Sequence, residues 1–220
     1  MISFAQNFED VILWRALKGV ANGFYIDIGA QDPVIDSVSR AFHEMGWTGV
    51  HVEPSEHYAE KLRHDRPNDE VVQGAVGRTE GVLKFFLFPD TGLSTGLEDI
   101  ARDHVARGFR MEEVEAPIQT TAQLLDRYAD RDIHWMKVDC EGMEADVIAG
   151  WAGSAVRPWI VLLESVAPGS QVPSHEAWEP ALLALGYDFV YADGLNRFYV
   201  SQQHPELKAV FGPGANCFDD

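Results

Sequence analysis

The sequence predicts an α/β fold, a mostly parallel sheet covered by helices on both faces. Three observations carry that expectation. Short apolar runs of strand length alternate with longer segments whose apolar residues recur at helical spacing. Glycine or proline stands at most junctions, where one element must stop before the next begins. Near the end of the chain, Asp193-Gly194-Leu195-Asn196 has hairpin-turn chemistry, so the sheet should close with an antiparallel strand.

Residues 7–18 place Phe8, Val11, Ile12 and Trp14 at helical spacing, with Gly19 as the stop. Residues 24–28 form a buried-type strand followed by Gly29, and 34–45 a helix stopped by Gly46. Residues 50–53 are a short strand halted by Pro54, 56–66 a polar-faced helix ended by Pro67, and 71–76 a third strand. The middle is less regular. Residues 82–88 are aromatic-rich and strand-like, 89–96 a loop with Gly92 and Gly96, 97–107 a helix, 114–119 extended and 121–128 a helix. Residues 78–120 are read as an insertion on the core of a single domain spanning 1–220. Alternation then resumes, with a strand at 135–139, a helix at 143–150, a strand at 159–163 and a helix at 175–185 ended by Gly186. Residues 189–191 and 198–200 form the closing pair, and 204–220 is a tail, loosely held from Pro213 onward.

The chain of 220 residues is long enough for one sizeable core, and 46% hydrophobic with 24% charged residues is a globular composition. A net charge of −18 repels phosphate backbones and anionic membranes, which counts against a nucleic-acid partner, although charge of this sign also simply favours solubility. Cys140 and Cys217 make neither a disulfide framework nor a zinc pattern. The first residues carry no basic segment before an apolar run, and the apolar stretch at 159–167 contains Glu164 and is too short to span a bilayer. The expectation is a cytoplasmic protein without a membrane span, of undetermined oligomeric state.

In an open parallel sheet, ligands bind beyond the carboxyl ends of the strands. The first strand ends in Asp27, Gly29, Ala30 and Gln31, which reads either as a cofactor loop or as an ordinary strand-to-helix turn. Glu53 ends the second strand at the distance where an acidic residue holds ribose hydroxyls, and its two oxygens can accept two O–H bonds. The three-glycine pyrophosphate fingerprint is missing, which argues against NAD or FAD and for an adenosyl cofactor without a pyrophosphate. Asp139, Glu141 and Glu144 crowd the end of the 135–139 strand, and Glu164 ends the next. Asp139 and Glu141 should point into the cleft, with Glu144 one turn on; capping of the following helix is the structural alternative.

These residues carry a resemblance. Ser3–Leu17 (SFAQNFEDVILWRAL), Gly23–Pro33 (GFYIDIGAQDP), Gly49–Ser55 (GVHVEPS), Gln73–Gly77 (QGAVG), Trp135–Gly150 (WMKVDCEGMEADVIAG) and Asp193–Val200 (DGLNRFYV) resemble, in order and spacing, the FkbM-type methyltransferases among the class I S-adenosylmethionine enzymes. The resemblance implies a Rossmann-like fold, a mostly parallel seven-stranded sheet with a C-terminal antiparallel hairpin strand. It implies an S-adenosylmethionine cofactor and transfer of a methyl group to oxygen, often on a sugar, glycan or glycosylated small molecule. Asp27, Gly29 and Ala30 would form the cofactor turn, Glu53 would hold the ribose, and Gly74 and Ala75 would lie near the adenine, with Asp139 also at the cofactor. Gln6 and Asp10 would cover it, while Ser3 and Gln6 also fit a capping box. Cys140 stands where the family usually has a valine-like residue.

Methyl transfer to an alcohol needs a base or a metal. Asp139, Glu141 and Glu164 could act as bases or hold Mg²⁺. Repulsion among them, the scarcity of basic partners and a helix N-terminus expected to depress the Glu141 pKa tilt the expectation toward metal. His134, at the wrong end of its strand, and His175 are alternative bases. Ser94, in a loop able to close as a lid, and Arg197 are candidate substrate contacts, though Arg197 could instead pair with an acid. The alternatives to O-methylation are a carboxylate or nitrogen acceptor, or a non-catalytic module that binds cofactor or glycan.

Overall fold

The computed structural model describes residues 2–219. Its main sheet contains β1 (Phe24–Ile28), β2 (Thr48–Glu53), β3 (Glu70–Gln73), β7 (Trp135–Val138), β8 (Ile160–Glu164), β9 (Tyr187–Ala192) and β10 (Asn196–Ser201). Their order is β3-β2-β1-β7-β8-β10-β9. The pairings from β3 through β8 are parallel, and β10 runs antiparallel between β8 and β9. From β1 the chain builds outward to β2 and β3, then returns to build β7 and β8 on the other side. The switch in strand order therefore lies between β1 and β7, where a crevice opens beyond the strand ends.

Strand alternation divides the core between the two faces of the sheet. Ile26, Ile28, Met136, Val138, Val161 and Leu163 pack toward α5 (Thr121–Asp126), α6 (Glu144–Ala149) and α7 (Glu179–Ala184). Tyr25, Trp135, Ile160 and Leu162 face α1 (Glu9–Leu17) and α2 (Val38–Glu44). The in-between positions Asp27, His51 and Lys137 share this second face and are buried. There Arg66, fully buried at the end of α3 (Glu56–Asp65), donates to the Pro33 carbonyl and to Ser37 and Ser39, and so holds the loop after β1.

Several sequence expectations need revision. The strand expected over 71–76 breaks at Gly74: β3 stays in the main sheet, while β4 (Ala75–Gly77) joins β6 (Glu112–Thr120) and β5 (Gly81–Leu87) in a small second sheet, with α4 (Glu98–Ala106) between β5 and β6 in the chain. A Cβ at Gly74 would lie 2.6 Å from the Pro117 carbonyl oxygen, so the crossing needs glycine. Helix α2 starts at Val38 and not at 34, because the Asp32 carboxylate captures the Val34 and Ile35 N–H groups in a turn. The helix expected over 175–185 splits into a 3₁₀ turn, His175–Ala177, and α7. Pro180 cannot donate and clashes with a preceding helical turn, so it sits in the first turn of α7. No capping box forms at Ser3 and Gln6: α1 begins at Glu9 after Phe8, whose φ is 63°, and Ser3 donates to Asp10. The tail is tied down, since Arg15 donates to Asp219 and to the Pro213 and Gly214 carbonyls.

Candidate functional site

A cavity of about 620 Å³ opens at the carboxyl ends of β1, β2, β7 and β8, within the size range of small-molecule sites. Its floor depends on Gly29. That residue has φ 79°, and a Cβ there would sit 1.8 Å from the Asp139 carbonyl oxygen. The contact that requires a glycine is the one between the ends of β1 and β7. Gly29 and Ala30 both line the cavity.

Glu53 is 5% exposed and lines the same wall. Its Oε2 accepts the Gln31 N–H at 2.9 Å and its Oε1 the Ser55 N–H at 2.8 Å, so one carboxylate joins the loops after β1 and β2. Burial raises its pKa to about 7 against the pull of those two bonds. Gly74 and Ala75 follow on the wall, with the Gly74 N–H donating to the Glu53 carbonyl.

At the other end, Asp139, Glu141 and Glu164 line the cavity, each with an oxygen within 4.8 Å of the others. Asp139 accepts from Lys137 Nζ at 2.9 Å. Glu141 has φ 49°, and the carboxylates of Glu141 and Glu164 make no hydrogen bond among the described residues; the Oε2 of each is enclosed without a partner. Burial, then Asp139 and Glu144, pushes Glu141 up to about 8. Burial, then Asp139 and Glu141, pushes Glu164 up to about 10. Where a helix N-terminus is expected to depress the Glu141 pKa, burial and then the Asp139 and Glu144 carboxylates raise it; α6 begins three positions later, at Glu144. Glu144 turns away from the cavity to accept the Cys140 and Gly142 N–H groups.

Basic partners are less scarce here than composition suggests. Lys137 lines the cavity floor; burial opposes its charge, but Asp139, Asp27 and Glu9 hold its pKa above the ordinary lysine range. The sequence reading missed it, although a lysine inside the apolar run Trp135–Val138 was the available signal. Glu9 was missed as well. It lines the cavity and accepts from the Asn7 N–H and the Asn196 side chain.

Other expected contacts lie elsewhere. Asp27 is off the wall, buried under it, accepting from Ser39 at 2.8 Å and lying 4.0 Å from Lys137. Asp10 is also off the wall and gathers the N-terminal segment by accepting from Ser3 and the Phe4 N–H; Gln6 does line the cavity. Ser94 lines it on the loop after β5, its Oγ accepting the Phe88 N–H. Next to it, Thr95 donates to the Glu141 carbonyl, which ties that loop to the carboxylate cluster. Arg197 does not line the cavity: it is held by Glu179 at 2.8 Å and lies over the Phe189 ring. His134 accepts the Phe24 N–H at the opposite end of the sheet, and His175 is off the wall beside Trp178. Cys140 packs against core residues as a small side chain.

No helix among the described residues is long and apolar enough to cross a membrane. No curated protein matches the chain. The methyltransferase FkbM domain matches residues 27–189, a span that runs from Asp27 through the Glu53 wall, the small second sheet and the carboxylate cluster into β9. With a Rossmann-like sheet, a cavity at its switch point and this match over most of its length, the chain belongs to the FkbM methyltransferase family, enzymes that draw on an S-adenosylmethionine-type methyl donor.

Proposed function

We propose that the chain is an S-adenosylmethionine-dependent O-methyltransferase whose acceptor is a hydroxyl of a sugar, a glycan or a glycosylated small molecule. One observation carries the reading: two kinds of buried carboxylate stand at opposite ends of one cavity. Glu53 ends β2 and Glu164 ends β8, with β1 and β7 between them. Three strand spacings separate them by about 14 Å, room for an extended donor between the two with an acceptor at the far end. Each Glu53 oxygen spends one lone pair on a backbone N–H and keeps another for a ribose hydroxyl. Gly29, Ala30 and Asp139 would hold the middle of a bound donor, Gly74 and Ala75 its adenine side, and Gln6 would cover it. Asp27 acts through Lys137, and Asp10 through the segment that carries Gln6.

The donor supplies an electrophilic methyl group on a sulfonium. The chain must hold a hydroxyl oxygen in line with that methyl and remove its proton. Glu141 is suited to the second task, because a base held at about 8 is matched to a working pH near neutrality. Its carboxylate would take the hydroxyl proton as the oxygen accepts the methyl group that the bound donor would supply. The Ser94 hydroxyl, still free to donate, orients the acceptor. A second reading gives Asp139, Glu141 and Glu164 to Mg²⁺, favoured by their clustering within 4.8 Å. A metal there would lower the pKa of a bound hydroxyl.

Calorimetry with S-adenosylmethionine and S-adenosylhomocysteine, followed by NMR of the methylated product, tests the reading. Binding of both and a new O-methyl resonance support it. Tight binding of NADH with no response to S-adenosylhomocysteine overturns it.

A further inference from the structure

The cavity is short of positive charge that a ligand could use. Two lysines line it, and each is already paired: Lys61 with Asp32 at 3.1 Å, and Lys137 with Asp139 at 2.9 Å. Among the described residues, Glu9, Asp36, Glu53, Asp90, Glu141 and Glu164 line it without an ion-pair partner. Glu164 is the extreme case. It is 8% exposed, faces the cavity, and makes no hydrogen bond at either oxygen among the described residues. An unpartnered buried carboxyl group either keeps its proton or takes a cation, and a bound cation can displace the proton.

Two cations compete for the place. A divalent metal takes about six or more oxygens, and here Asp139 already accepts from the buried Lys137 ammonium, leaving only Glu141 and Glu164 uncommitted. An ammonium group brings three donors and no acceptor, which matches carboxylate oxygens that only accept. Building on the methyl-transfer reading, we infer that the acceptor bears a protonated amine, held by Glu164 beside the hydroxyl that faces Glu141. The substrate class is then an amine-bearing glycoside or amino alcohol. Anionic acceptors, uronic acids and phosphorylated sugars among them, are repelled. The protonated amine has no lone pair to attack with, so the methyl group goes to oxygen.

The test is calorimetry on the full chain saturated with S-adenosylhomocysteine, which fills the donor's own ammonium site, in the presence of a chelator. The probes are the methyl glycosides of glucosamine and galactosamine and a 2-deoxystreptamine glycoside, each with its N-acetylated counterpart, and methyl glucuronide. At least one amine should bind about tenfold or more tighter than its N-acetyl partner, and glucuronide should not bind. Glu164→Gln should reduce that preference to within about threefold while S-adenosylhomocysteine affinity is kept, which also reports that the variant folds; Glu141→Gln should keep the preference. Equal or tighter binding of the N-acetyl forms, binding of glucuronide, no binding by any amine, or, in a parallel titration without chelator, displacement of the amine by Mg²⁺ would each overturn the inference. O-methylation of a neutral acceptor would sink it and leave the function standing. Methylation of the amine nitrogen would instead sink the O-methyl reading.

Discussion

Two buried glutamates face one cavity from the ends of two strands of the same sheet, and the backbone around them treats them differently. Glu53 receives an N–H at each oxygen, and its pKa is raised to about 7. Glu164 receives none and is raised to about 10. Burial is the largest cause in both. The difference comes from the loops: Gln31, at φ 50°, turns its N–H toward Glu53, whereas the chain after β8 turns the Ser165 N–H to the Leu195 carbonyl. One end of the cavity is preorganised to bind. The other avoids a buried, unpartnered charge by keeping its proton, which a bound cation would displace.

The largest expected effect breaks the comparison at the reactive end. Glu141→Gln should lower kcat by about a hundredfold or more, the usual contribution of a general base, while S-adenosylhomocysteine affinity stays within about twofold. Stopped assays with and without chelator sharpen the assignment. Turnover unaffected by chelator is expected for the base, and loss restored by Mg²⁺ selects the metal reading. At the binding end, Glu53→Ala should weaken S-adenosylmethionine and S-adenosylhomocysteine alike by about tenfold or more, since a charge-assisted hydrogen bond contributes about 1.5–3 kcal/mol. Calorimetry reads this directly, and unchanged affinity would detach Glu53 from the donor.

A smaller effect concerns stability. The unfolded chain releases the Glu164 proton near 4.5, while the folded protein keeps it up to about 10. The native state therefore binds more protons across that window, and stability falls as pH rises through it. Glu164→Gln keeps the shape without the charge, so it should raise Tm by about 2–4 °C at pH 8, with less gain at pH 5. Thermal denaturation at both values checks the sign. A Tm that falls at pH 8 would mean that Glu164 has a partner in the folded protein.

The fold and half of this contrast were legible in the sequence, for physical reasons that differ by residue. Glu53 was legible because its place depends only on strand end and spacing from Gly29, which topology turns into position. Asp27 was misplaced because alternation tells that it opposes Ile28 but not which face meets the cavity; it lies under the wall on the Tyr25 face, 4.0 Å from the cavity-lining Lys137. The charge of Lys137 depends on Asp27, Asp139 and Glu9 meeting across three separate segments, which no local pattern contains. The break at Gly74 follows from contact with Pro117, more than 40 positions away in sequence. Pro180 was different: the signal that splits the 175–185 helix stood in plain view within the segment.

The smallest expected effect is at Arg197, and it sharpens the comparison by what should not change. Its guanidinium sits off the cavity wall, donating to Glu179 at 2.8 Å and to the Tyr199 hydroxyl at 2.9 Å, with the Phe189 ring 3.8 Å away. Both charged partners are about one-fifth exposed, at 19% and 20%, so the pair is screened and contributes on the order of 1 kcal/mol. Arg197→Ala should lower Tm by about 1–2 °C and leave kcat and the acceptor KM within about twofold. A KM rise of tenfold or more at constant kcat would put the guanidinium at the acceptor. That result would supply the free cation the cavity otherwise lacks, and with it a place for an anionic acceptor.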